Sequence, residues 1–179
     1  MAHSSRFARG LFPALVLALV ACGPSAGTRE GKATPAVRKA DPCALLTPAD
    51  AQAALGEPVG QLQMTSVLDD ARNSSGDPTQ CGYGAESDPA RVVRLQLREA
   101  ADAERAEGAF ESARSVLAGA GVRDVPGLGD GAFWAGGAVR QLHVRKGSSV
   151  IVVTCDPGAG RDALAIARRV AGGALRRLR

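Results

Sequence analysis

The hydrophobic positions of this chain fall into three regimes. An unbroken apolar run from Leu11 to Ala21 comes first. Gly23 to Ala40 follows, rich in Gly, Pro, Ser, Thr and charge, with no apolar period. From Asp41 onward, apolar residues recur at helix or strand spacing to the end of the chain. Within this third part, Thr47-Pro48-Ala49-Asp50 is a helix start. Thr47 is the cap, Pro48 takes the first helical position, and Asp50 at the third can answer the cap. The helix runs to Leu55, where Gly56 and Pro58 stop it. Leu62, Met64 and Ser66 alternate with Gln61, Gln63 and Thr65, which predicts a strand. A turn-rich loop from Asn73 to Pro78 leads to a short strand, Gln80 to Gly84. Arg91 to Glu99 alternates most cleanly, with Val93, Leu95 and Leu97 on one face and Arg94, Gln96 and Arg98 on the other.

The second half repeats the theme. Asp102 to Leu117 is an amphipathic helix with Ala103, Ala106, Phe110, Ala113 and Leu117 as its stripe. Val125 to Trp134 is a glycine-rich turn entering a strand, and Gly136-Gly137 turns the chain back. Val139 to Lys146 and Ser149 to Cys155 form a hairpin about Gly147-Ser148. A last helix, Arg161 to Leu178, is expected to bury Leu164, Ala167, Ala171, Leu175 and Leu178. Arg161, Arg168, Arg169, Arg176 and Arg179 fall off that stripe. The order is helix, three strands, helix, three strands, helix. Runs of consecutive strands predict an α+β domain: an antiparallel sheet of about five to six strands with helices packed against it. The αβββ unit occurs twice, which hints at a duplication.

The apolar run changes the picture of where the domain works. Arg6 and Arg9 precede it, and it is far shorter than the roughly 18 residues of a membrane span. It ends in Leu19-Val20-Ala21-Cys22, which resembles the bacterial lipobox, where a diacylglyceryl group joins the cysteine and cleavage leaves that cysteine as the N-terminus. Residues 1–21 are then a signal peptide. Residues 22–40 are a lipidated Cys22 with a disordered tether of about 25 Å root-mean-square reach, and residues 41–179 are a single domain. Gly23, rather than Asp, follows the cysteine. The resemblance implies a lipid anchor in the cell membrane, or in the outer membrane of a two-membrane host, with the domain facing the periplasm or the exterior.

Charge alters little. The chain carries 22 basic and 18 acidic residues. Loss of Arg6 and Arg9 with the leader leaves 20 against 18, too mild a surplus to imply nucleic-acid binding. Aromatics make up 3% of the chain, so stacking platforms for bases or sugars are not expected. With Cys22 taken by lipid, Cys43, Cys81 and Cys155 remain, and an oxidising compartment permits disulfides. Three pairings are possible, each leaving one thiol. A Cys43–Cys81 bond would close a loop of about 37 residues and contribute about 3–4 kcal/mol in the chain-entropy model.

Asp41-Pro42-Cys43-Ala44-Leu45-Leu46-Thr47, Cys81-Gly82-Tyr83 and Val125-Pro126-Gly127-Leu128-Gly129-Asp130-Gly131-Ala132 resemble, together, small secreted bacterial lipoproteins of the uncharacterised D-P-C-x-L-L-T type. The likeness covers most of the chain after the tether. It implies an antiparallel sheet with packed helices, a Cys43–Cys81 bond, and a plan shared with extracytoplasmic sensor modules. It brings no catalytic residues, and Cys155 lies outside its two-cysteine pattern.

Candidate chemistry is sparse. Gly127, Gly129 and Gly131 are followed by a strand, whereas a dinucleotide loop needs a helix there; a tight turn explains them, with Asp130 bonding its own turn. A Cys155–His143 nucleophile and base is disfavoured by the hairpin. With a two-residue turn, His143 faces Val152 and lies with Gln141 and Arg145, while Cys155 lies with Leu142, Val144, Ile151 and Val153. Cys155 then serves as a small buried hydrophobe. His143 and His3 are the only histidines and no C-x-x-C is present, so a metal site has few ligands to draw on. The arginines of the last helix suit a solvated face, or anionic lipid as a second use. Phe133 and Trp134 alternate on a strand, so one is expected in the core and the other at the surface. The candidate ligand-binding residues are Trp134, His143 and Arg145, with no catalytic residue, cofactor or metal. The expected function is a non-catalytic binding or interaction module for an unknown envelope protein or small ligand. The alternatives are an envelope-polymer enzyme without a recognisable motif, for which Asp69, Asp70 and Asp130 are the acids to inspect, and a purely structural surface protein.

Overall fold

A computed structural model describes residues 40–62 and 79–178. The leader, Cys22, the tether, most of the strand expected over Gln61–Ser66, and Asp69 and Asp70 lie outside the described residues. Two helices open the domain: α1 (Pro42–Leu45) and α2 (Pro48–Leu55). Asp41 caps α1 through the Cys43 N–H at 2.8 Å. Thr47 and Asp50 form the reciprocal capping box on α2, and Gly56 closes it with φ +79.

Strands β1 (Val59–Gln61), β2 (Thr79–Ala85) and β3 (Val92–Glu99) follow. Helix α3 (Ala103–Val116), capped by Asp102, leads to β4 (Val122–Asp124), β5 (Gly131–Ala135), β6 (Gln141–Lys146) and β7 (Ser149–Asp156). Helix α4 (Ala163–Arg177), capped by Asp162, ends the fold. The seven strands form one antiparallel sheet in the order β1-β2-β3-β7-β6-β5-β4. The expected count of five to six strands was short because three-residue β4 carries no alternation to read. Two meanders meet where β3 pairs β7, with Leu95 opposite Val153. An αβββ repeat matches the order of elements but not their layering. The second meander has four strands, and α2 and α3 pack on opposite faces of the sheet.

The larger core lies on the α1/α2/α4 face. Val93, Leu95, Leu97, Leu142, Val144, Ile151, Val153 and Cys155 enter it from the sheet. The smaller one lies under α3, built from Ala106, Phe110, Phe133 and Val150. The stripe of α4 is broader and rotated from expectation. Ile166, Ala167, Val170, Ala171, Gly173 and Ala174 are buried, while Leu164, Leu175 and Leu178 are only half-buried. The helix faces α1 and α2 as well as the sheet, so more than one side of it loses water.

Cys43 of α1 is bonded to Cys81 of β2, and Cys155 is a buried free thiol. Three arginines distant in sequence tie the small helices down. Arg91 and Arg161 both donate to the Leu55 carbonyl at the end of α2, and Arg177 donates to the Leu45 carbonyl at 2.9 Å and pairs with Asp50 at 2.8 Å. Guanidinium donors there satisfy carbonyls that a helix C-terminus leaves over. Arg177 is also one of the groups that lower the Asp50 carboxyl, against burial that pushes it up.

The turn before β5 is fixed by close approach. Gly129 has φ +57, and a Cβ there would collide with the Arg145 carbonyl oxygen and sit 2.9 Å from Val144 Cγ1. Asp130 does not bond its own turn as expected. Its carboxylate accepts the Gly147 N–H of the β6–β7 turn at 2.6 Å, and its N–H donates to the Arg145 carbonyl at 2.8 Å. That Gly147 bond, helped by Lys146 and Arg145, holds the Asp130 carboxyl below its ordinary range.

Gly129→Ala is expected to destabilise the domain by about 2–4 kcal/mol in denaturant unfolding, since both strain and a backbone clash oppose it. Cys43→Ser with Cys81→Ser is expected to lower stability by about 3–4 kcal/mol. Cys155 should stay inert to a thiol reagent until the chain unfolds.

Candidate functional site

The residues beneath α3 are arranged by register. One row across the sheet runs Gln96 (β3), Val152 (β7), His143 (β6), Phe133 (β5); the next runs Arg98, Val150, Arg145, Gly131. Helix α3 lays Phe110 on Phe133 edge-on, with ring centroids 5.0 Å apart and planes at 63°. Phe133 in turn stacks flat on His143 at 4.5 Å and 9°. Arg114 of α3 sits 5.7 Å from the Phe133 centroid on this same layer.

His143 is 6% exposed. Burial pulls its pKa down to about 4, so the ring is neutral at ordinary pH. Its Nε2 lies 3.3 Å from the Gln141 Oε1. In the tautomer that satisfies this oxygen, Nε2 carries the proton and Nδ1 is an acceptor. Nδ1 is buried and has no hydrogen-bond partner among the described residues. A buried acceptor left unpaired costs about 1–3 kcal/mol.

His143 lines a cavity of about 120 Å³ with Gln96, Arg98, Ala109, Ala113, Val150 and Val152. Ala109, Ala113, Val150 and Val152 give its apolar walls. The polar groups are the imidazole, the Gln96 amide and the Arg98 guanidinium, which has no carboxylate partner among the described residues. Small side chains on α3, Ala109 and Ala113, leave the space that larger residues would fill. The arrangement suits a small molecule that offers an acceptor or negative charge to Arg98 and a hydrogen-bonding group to the Gln96 amide; Nδ1 itself has no surface open to solvent.

The three candidate ligand residues do not form one site. His143 lies at this cavity. Arg145 shares its face, but pairs with Asp130 at 4.0 Å and Glu107 at 3.9 Å and lines a separate depression beside Phe110 and Gly129. Trp134 faces α4, on the other side of the sheet. Phe133 and Trp134 do not divide into core and surface either. The sheet is covered on both faces at β5, so each is buried, at 0% and 6% exposure. Cys155 and His143 lie on opposite faces, as the hairpin register requires. Burial raises the Cys155 thiol to about 11, which removes it as a nucleophile. Gln96 and Arg98 escaped sequence reasoning as cavity residues. The alternation in β3 puts them on the polar face, but nothing in it says that β7 and β6 lie alongside.

The sign of the His143 shift sets a pH dependence. Its folded pKa lies below the unfolded value near 6.5, so the unfolded chain takes up the proton first. The stability His143 contributes is complete above pH 6.5 and is lost as pH falls towards 4, by up to about 3 kcal/mol. His143→Phe is expected to abolish this part of the pH dependence, read as the difference between wild-type and variant unfolding free energies from pH 7 to 4.5. Compared with protein-family models, curated proteins and solved structures, the chain matches none, so its chemistry is read from this geometry alone.

Proposed function

We propose that the chain is a lipid-anchored, extracytoplasmic lipoprotein of the D-P-C-x-L-L-T type, and that its domain is a non-catalytic binding module. The observation that carries the binding role is the cavity beneath α3, lined by Arg98, Gln96 and the neutral, buried imidazole of His143. A general base would need a pKa near the working pH and a reacting group in reach. A ring held near 4 is instead a fixed hydrogen-bond acceptor. Support for the location comes from Leu19-Val20-Ala21-Cys22 behind a short apolar run, and from the Cys43–Cys81 bond, which persists best in oxidising compartments. On this reading the ligand is a small polar molecule with a hydroxyl or N–H group and an acceptor for Arg98, and the protein presents it close to the membrane surface.

Two measurements test the proposal. Mass spectrometry of the protein from its native membrane should find the chain starting at Cys22 with acyl groups attached, and Cys22→Ala should move it out of the membrane fraction. An unmodified N-terminus upstream of Cys22 would overturn the anchor. In a thermal-shift screen of small polar compounds, some should stabilise the wild type and not Ala113→Leu, which fills the cavity. Equal shifts in both proteins would remove the cavity as the binding site.

A further inference from the structure

On the face of the sheet away from His143, an open depression of about 280 Å³ gathers Arg123, Trp134, Gly136, Arg140, Arg161 and the glycine turn ahead of α4. Register brings them together. Arg123 of β4 is the direct cross-strand partner of Trp134 in β5. Gly136 stands two residues further on, on the same side of the chain. Arg140 precedes β6 and continues its ladder, its carbonyl accepting the Cys155 N–H at 3.2 Å. Arg161 arrives from the turn between β7 and α4.

Trp134 is the chain's one tryptophan and is 6% exposed. Its Nε1–H donates to no acceptor among the described residues. Gly136 keeps that edge open: a Cβ there would lie 2.5 Å from Nε1. An indole N–H can only donate, so what completes it is an acceptor. The surroundings select a negative one. Arg123 is exposed and has no partner among the described residues. Arg140 is paired with Asp156 at 2.7 Å, and Arg161 donates to the Leu55 carbonyl. Among the described residues Asp162 is the one acid that lines the depression, and its carboxylate is turned to the Ala165 N–H as the cap of α4. Arg140 also holds φ 45, the sole left-handed backbone outside glycine among the described residues.

We propose that this depression binds an oxyanion of the phosphate type, with Trp134 Nε1–H and Arg123 as its first donors and Arg140 and Arg161 adding charge around it. A tetrahedral anion presents separate oxygens to donors that converge from β4, β5 and the turns ahead of β6 and α4; a planar guanidinium matches two of them at once. The depression is open and screened by solvent, which gives millimolar affinity rather than tighter binding. The same group can come as free phosphate or as the headgroup of an anionic phospholipid. This site is independent of the His143 cavity, and each can fail without the other.

A single tryptophan makes the test direct, because the full chain labelled with 15N gives one indole N–H signal. Titration with sodium phosphate at constant ionic strength should move that signal saturably. Arg123→Gln, an exposed position that leaves the core untouched, should weaken the effect at least about fivefold. Gly136→Ala, which places a methyl against Nε1, should abolish it. Vesicles of phosphatidylglycerol, compared with phosphatidylcholine, separate the sources. Loss of the signal with the anionic vesicles alone assigns a lipid headgroup, and a response to phosphate only assigns a free anion. An indole signal unmoved by both probes, or moved equally in Arg123→Gln, overturns the proposal.

Discussion

The pairing of β3 with β7 is the constraint on which the rest of this molecule depends. It is the one seam between the two meanders, and it runs the full length of both strands, from Val92 opposite Asp156 to Glu99 opposite Ser149. Side chains alternate across a strand, so this register decides which residues each helix layer meets. In the observed register Leu95 and Val153 lie side by side under α1, α2 and α4, while Gln96 and Val152 lie side by side under α3. A slip of one residue would put Arg94, Gln96 and Arg98 into the larger core and leave three buried charged or polar groups unpaired. The polar cavity and the apolar core are thus two sides of one ladder.

Much of this was legible in the residues because local chemistry sets it. Thr47 with Asp50 marks the start of α2 from its first turn alone, and Asp102 stands at the expected start of α3, whereas Asp162 caps α4 one residue beyond the start expected at Arg161. The Gly147-Ser148 turn fixes the β6–β7 register without help from the rest of the fold, so His143 opposite Val152 could be read from spacing. Elements too short to show a period escaped: α1 with four residues and β4 with three. The phase of α4 also escaped. An Ala-, Val- and Gly-rich helix has apolar residues on several sides, and only the position of α2 decides which of them are covered.

The same division holds at the sites. Sequence places His143 on the polar face of its strand; that the face is roofed by Phe110 and stacked by Phe133 is a tertiary fact. The roof turns a titratable surface histidine into a neutral acceptor. Trp134 was expected to alternate with Phe133 between core and surface, but parity sends it to the other covered face, among arginines that no motif connects. Arg123, Arg140 and Arg161 come from three separate segments, and their convergence depends on β4, whose presence the sequence does not announce.

The Cys43–Cys81 bond has a mechanical meaning. Tension applied to the chain ahead of Asp41 enters the domain at Cys43 and passes through the sulfur bridge into β2, a strand held on both sides by its neighbours. Helix α2 and strand β1 lie inside the covalent loop and carry none of that load. Load that enters at Cys43 therefore reaches β2 directly, between β1 and β3, without passing through α2 or β1. The covalent loop thus keeps α2 and β1 out of the path by which a pull on the front of the domain reaches the sheet.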